Sequence, residues 1–195
     1  MRLAADDVTR SLAASWRLLR ADAKALPDLD LSRDGFWRSY LALVLVVPSM
    51  IPALAAERTL AGLSNSGGLF DAPGLIAAIV TAEILAILAV PALLVGLAPG
   101  LTRNPRFTSF VIAWNWAGIL SAALMAVPAT VFALGWSNPG IAGFQSLAFA
   151  AIVLRLRYCV ARAAFEAQSG VAGAIACASV LADYTVLKIF GLAGF

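Results

Sequence analysis

Histidine is absent from this chain of 195 residues, and cysteine occurs only twice, at Cys159 and Cys177. The first absence removes the commonest metal ligand and the commonest general base together. The second leaves no CxxC pair and no Cys/His set at metal-binding spacing, so no metal site is expected, and both thiols read as small apolar residues in or beside membrane helices. Charge is scarce too. Asp, Glu, Lys and Arg supply 13% of the residues, where a soluble domain carries about 25%. Hydrophobic residues supply 62%, and the mean hydropathy is +0.89. No soluble core absorbs that excess. The chain is an integral membrane protein, which excludes a secreted disulfide scaffold, a disordered chain and a nucleic-acid binder despite a pI near 9.2.

Catalytic signatures are missing as well. There is no G-x-S-x-G, no P-loop, no paired metal-ligand motif and no GxGD-like intramembrane aspartate pair. With no histidine to activate a nucleophile, no catalytic residue and no cofactor are assigned, and the chain reads as non-enzymatic.

What is present is apolar length. Crossing about 30 Å of hydrocarbon takes about 20 helical residues. Five stretches meet that need: Trp37 to Ala56, Gly74 to Ala98, Phe107 to Leu134, Trp136 or Ile141 to Leu154, and Val171 to Phe190. The fold class is therefore all-α, a five-helix transmembrane domain (37–195) preceded by a cytoplasmic arm (1–36). No continuous apolar run marks a cleaved signal peptide in the arm. Basic residues set the orientation. Segments 1–38, 99–106 and 155–170 hold all of them except Arg58 and Lys188. Alternate loops thus obey the positive-inside rule, with the N-terminus cytoplasmic and the C-terminus periplasmic. Arginine outnumbers lysine 12 to 2, which with the Ala-rich spans points to a bacterial inner membrane. Residues 57–73 make the only sizeable outer loop.

In the arm, Val8, Leu12, Trp16, Leu19, Ala23 and Leu26 fall on one helical face. Pro27 is expected to end that helix, with Asp28, Asp30, Ser32 and Asp34 as a polar connector. Two readings stand. The helix lies on the cytoplasmic leaflet with Trp16 at headgroup depth, or it packs on the protein's own loops or on a partner.

Three polar residues interrupt the spans: Glu83, Asn115 and Asp183. At about 1.5 Å per residue all three fall in one layer near the midplane. An ionisable group there costs about 2.5–3.5 kcal/mol on insertion scales and faces the bundle interior. Convergence of the three on one site is the expectation, either as a proton or cation path or as interhelical glue. Arg155 is a candidate to reach Asp183, while Arg155, Arg157 and Arg162 together read as an inner-face anchor or a site for anionic lipid headgroups. In the fifth span Gly170, Ala174, Ala178 and Ala182 recur every four residues, with Gly173 and Cys177 on the adjoining strip. Such spacing marks a helix-packing face, and Ala78, Ala82 and Ala86 repeat it in the second span. Pro48, Pro52, Pro91 and Pro128 predict kinks in the first three spans.

This layout is similar to the Yip family of small membrane proteins, which have a cytoplasmic arm, five clustered spans and an outer C-terminus. The resemblance extends from Phe107 to Leu192: a long third span ending near Val127–Pro128, then LRLRYCVARAAFEAQSGVAGAIACASVL, where an apolar helix runs into a basic connector, a glycine and a small-residue helix. The acidic-Leu-Tyr-Gly-Pro and Gly-Tyr patterns of eukaryotic members are absent. The resemblance implies a topology, and it carries over no trafficking partner. The leading expectation is a scaffold, accessory subunit or assembly factor acting through helix packing, with membrane lipids and other subunits or a second copy as partners. The alternatives are a small transporter or channel using Glu83, Asn115 and Asp183, and a lipid-binding, membrane-shaping protein.

Overall fold

The computed structural model describes residues 4–63 and 74–190. Its described part is helical, with no strand. An arm helix α1 (Ala5–Leu19) and a 3-10 turn (Ala23–Asp28) lead into α2 (Arg33–Leu41) and α3 (Val47–Leu63), which are joined by a 3-10 run. After these come α4 (Leu75–Leu97), a single turn α5 (Pro99–Thr102), α6 (Phe107–Ala133), α7 (Pro139–Phe165) and α8 (Ser169–Ile189). Five of these helical stretches are long and apolar enough to cross a bilayer: Arg33–Leu60, Ile76–Leu97, Phe107–Ala133, Pro139–Phe165 and Ser169–Ile189. The protein is an all-α, multi-pass membrane bundle.

α6 is the most buried span and forms the axis of the bundle, with α7 and α3 as its principal neighbours. Its first half presents Phe110, Ile112, Trp114, Asn115 and Trp116 to the core. Gly118 is a close approach there: a Cβ on it would lie 3.0 Å from Ile87 Cγ2, so that side chain would have to give by a few tenths of an ångström. The absence of that Cβ lets α4 close on α6.

The prolines are accommodated in two ways. Pro48 has no N–H for the Val44 carbonyl, and the chain tightens into a 3-10 run (Ala42–Val46) so that Val47 N–H takes that carbonyl instead. Pro91 likewise deprives the carbonyl four residues earlier, that of Ile87. There the indole of Trp114, from α6, donates across the helix gap to Ile87 O at 2.9 Å. In hydrocarbon a freed carbonyl without a partner is costly, and this tryptophan satisfies the one that Pro91 leaves. Trp114→Phe is expected to lower stability by about 1–2 kcal/mol, measured by thermal unfolding in nanodiscs. Pairing it with Pro91→Ala, which restores the donor in α4, should recover most of the loss.

Four sequence expectations change here. Residues 57–63 continue α3 as helix instead of opening the outer loop; the remainder of that loop, 64–73, lies outside the described residues. The fourth span runs on through Phe165, past Leu154, so Arg155, Arg157 and Arg162 stand on helix and not in a connector. α1 stops at Leu19, well before Pro27. The last two differences share a cause. Each helix closes with a six-to-one bond around a left-handed residue: Asp22 N–H to Arg17 O around Ala21 (φ 63°), and Ala167 N–H to Arg162 O around Glu166 (φ 48°). Glycine is the usual occupant of that position and the usual stop signal, and neither helix has one.

The fourth difference concerns the face of the arm: of the two readings left open, the helix packs on the protein itself, but through a strip other than the expected one. α1 packs against α6 and α7, and its buried strip is Ser11, Ala14, Ser15, Leu18 and Leu19. These small residues permit close approach, and Ser15 satisfies its own hydroxyl by donating to Ser11 O at 3.0 Å. Val8 and Leu12 lie at the edge of the strip, while Trp16 remains exposed. Arginines then fold the connector back. Arg17 pairs with Asp22 at 2.6 Å and with Asp28, and Arg38 pairs with Asp7 at 3.1 Å and stands 3.7 Å from Asp30. Of the aspartates in the polar connector, Asp28 is thus paired with Arg17 and Asp30 lies beside Arg38.

Candidate functional site

α7 and α8 are joined by a short turn and run antiparallel. Helical side chains lean toward their own N-terminus, so side chains on the two helices lean toward each other. Arg157 lies roughly 12 Å from the α7–α8 turn along its helix, and Asp183 lies roughly 21 Å from it along α8. Leaning in opposite directions, they meet in an ion pair between those levels. The Arg157 guanidinium also donates to Ser179 Oγ at 3.0 Å, and that hydroxyl donates onward to Ala176 O at 2.6 Å. The same guanidinium sits 5.7 Å from the Trp114 ring centroid. Glu83, from α4, is within electrostatic reach of both Arg157 and Asp183. Four helices therefore converge on one polar layer in the middle of the bundle. The arginine pairs with one carboxyl, that of Asp183, whose Oδ1 is buried without a hydrogen-bond partner among the described residues.

The expected three-residue convergence is corrected in one member. Asn115 is fully buried, but its Nδ2 donates to Ser39 Oγ at 3.0 Å, and Ser39 donates to Phe36 O at 2.7 Å. It ties α6 to α2. Its neighbour Trp114 faces Arg157, because successive helical residues point about 100° apart. Arg155 does not reach Asp183. Two residues from Arg157 is about 200° around the helix, and Arg155 is exposed on the outer side of α7. The signal that distinguishes the two arginines is the phase of the helix relative to Val153, Leu156 and Val160, which are buried.

The small-residue stripe of α8 is also displaced from its expected place. The face that α8 turns inward carries Ala172, Ile175, Ala176, Ser179 and Ala182. Gly170, Ala174 and Ala178 are exposed, together with Cys177. A Cβ added at Gly170 or Gly173 would meet nothing within 4 Å. Ala182 alone of the four stripe residues packs internally. In the second span Ala82 and Ala86 are buried, where α4 meets α8 and α6.

At the end of the bundle where α6 begins and α7 finishes, a cleft of about 720 Å³ separates the arm from these helices. Arg162 lines it, with Arg106 and Tyr158. No group of His, Cys, Asp and Glu among the described residues is arranged to hold a metal ion. Compared with known families, curated proteins and solved structures, the chain matches none. Chemically, the mid-bundle layer joins helices through an ion pair. The cleft can accept an anion.

Proposed function

We propose that this chain is a non-catalytic protein of a bacterial inner membrane that works by helix packing, as a scaffold or accessory subunit. Its N-terminus is cytoplasmic and its C-terminus periplasmic, in keeping with the charge distribution and the Yip-like layout. The observation that carries the reading is the outward stripe of α8. Glycine in a helix interior costs about 1 kcal/mol relative to alanine, and open space surrounds Gly173. The chain's own packing therefore does not require this face to be small. A second transmembrane helix does, since close backbone approach is how helices associate in lipid. The four-residue repeat is self-complementary, so the first occupant to test is another copy of the chain.

Cys177 supplies the test, being exposed on that face while Cys159 is buried. Mild oxidation of native membranes is expected to give a disulfide-linked dimer. Cys177→Ser should abolish it, Cys159→Ser should leave it intact, and Ala174→Leu or Ala178→Leu should lower its yield several-fold. A thiol that stays reduced under oxidation, in a chain that remains monomeric, rejects the reading.

One observation favours a second reading, a small proton- or cation-coupled transporter. Glu83 gives the mid-bundle layer a carboxyl beyond what Arg157 neutralises. On that reading Glu83→Gln removes flux from proteoliposomes without unfolding the bundle.

A further inference from the structure

The cleft between the arm and the bundle has two unlike walls. The arm contributes the apolar residues Leu18, Leu26, Pro27 and Leu31. The facing wall, from the start of α6 and the last turns of α7, contributes Arg106, Tyr158 and Arg162 among small apolar residues such as Ala163 and Ala167. Its volume, about 720 Å³, is within the usual range of small-ligand sites, about 300–1,000 Å³. Apolar residues opposite two guanidiniums suit an anion carried on a hydrocarbon chain.

The depth agrees. Trp16 and Trp37 are exposed at this end of the bundle and Trp136 at the other, and exposed tryptophans gather at the two membrane interfaces. The cleft thus opens at the level of the headgroups. Its two arginines are in different states. Arg162 makes no ion pair among the described residues, its polar contact being Tyr158 Oη at 3.4 Å. Arg106 is held by Glu166, at the rim of the same cleft. Glu166 is also the residue that closes α7 in the left-handed conformation, at φ 48°. A side chain costs energy there where glycine does not, and the carboxylate of this one occupies the second arginine.

We propose that this cleft binds the phosphate headgroup of an anionic phospholipid, with Arg162 and Arg106 on the phosphate and the leucines of the arm along the start of an acyl chain. Glu166 acts as the occupant of Arg106 in the empty cleft, and the incoming phosphate takes its place. Planar guanidiniums suit a phosphate oxygen pair better than a lysine ammonium does. This site is separate from the α8 contact and survives if that contact fails.

Delipidated full-length protein in detergent, titrated with short-chain phosphatidylglycerol and followed by native mass spectrometry, tests the assignment. One bound phosphatidylglycerol per chain is expected, with phosphatidylcholine lost on mild activation. Arg162→Ala should weaken binding about tenfold, roughly the worth of one charge-assisted contact, and Arg162→Lys by less. Glu166→Gln should strengthen binding by freeing Arg106. Arg103→Ala, which removes a nearby exposed charge outside the cleft, should change nothing, and thermal unfolding confirms that each variant is folded. Equal loss from Arg103→Ala and Arg162→Ala overturns the site in favour of general surface charge. Inorganic phosphate or glycerol phosphate binding as tightly as the lipid assigns the cleft to a soluble anion and overturns the lipid. Unchanged binding in the Arg106→Ala, Arg162→Ala double variant overturns both.

Discussion

Replacing Arg157 with methionine is expected to destabilise the bundle by about 3 kcal/mol, because removing one partner of a buried pair strands the other charge. The pair is well shielded, with side-chain exposures of 15% for Arg157 and 27% for Asp183. Without the guanidinium, the shielded Asp183 carboxylate has no ion-pair partner, and Ser179 loses its donor. The double variant Arg157→Met, Asp183→Leu should regain most of the loss, since an apolar pair of similar volume replaces a buried ion pair at little cost. Thermal or denaturant unfolding in nanodiscs measures both. Equal stability of the wild type and the single variant would show that the ion pair holds nothing. A double variant as unstable as the single one would place its worth in shape and not in charge.

The second large effect is expected at Gly35. A Cβ there would lie 1.9 Å from the Asp30 carbonyl oxygen and 2.6 Å from Asp30 Cγ, and backbone cannot yield by that much. Gly35→Ala therefore forces the connector away from α2. Asp30 then gives up its contact with Ser32 N–H at 3.1 Å and its approach to Arg38, and Ser32 loses its capping bond to Gly35 N–H. A loss of about 2–4 kcal/mol is expected, in the range of severe backbone effects, and it should concentrate in the arm. Hydrogen exchange of residues 5–19 reads it directly: protection falls there while α6 stays protected. Acid should mimic the variant. Hydrogen bonding from Ser32, and then the charge of Arg38, hold the Asp30 carboxyl below its ordinary value. A depressed carboxyl contributes stability that is complete above its unfolded value of about 3.9 and is lost as pH falls through the folded one. The arm should accordingly loosen only below about pH 4. Unchanged exchange in Gly35→Ala would contradict the close packing of α2 on the connector.

The spans were legible because apolar length is a direct signal. The second, third and fifth begin and end within two residues of where hydropathy puts them. What the sequence did not disclose is phase and closure. Glu166 and Ala21 end their helices in a conformation that glycine normally announces, so α7 ran longer and α1 shorter than their composition suggested. Depth placed Glu83, Asn115 and Asp183 in one layer, but depth says nothing about azimuth. Asn115 turned to Ser39, while Arg157, read as an anchor, supplied the counter-charge. The repeat Gly170, Ala174, Ala178 reads as a packing face, yet the bundle buries the neighbouring strip of α8. A small-residue period names a helix surface without naming what covers it. The arm docks through Ser11, Ala14, Ser15 and Leu18, a strip rotated from the expected one and made partly of small residues that a hydrophobic stripe passes over.

The role in packing rests on whether α8 meets another helix in the membrane. Native mass spectrometry of the protein released gently from its own membrane reads this most directly. The expected result is a dimer that Ala178→Leu converts to monomer, with each chain's fold unchanged. A strict monomer in the wild type, together with flux that Glu83→Gln abolishes, would contradict it and move the function to the mid-bundle carboxyls.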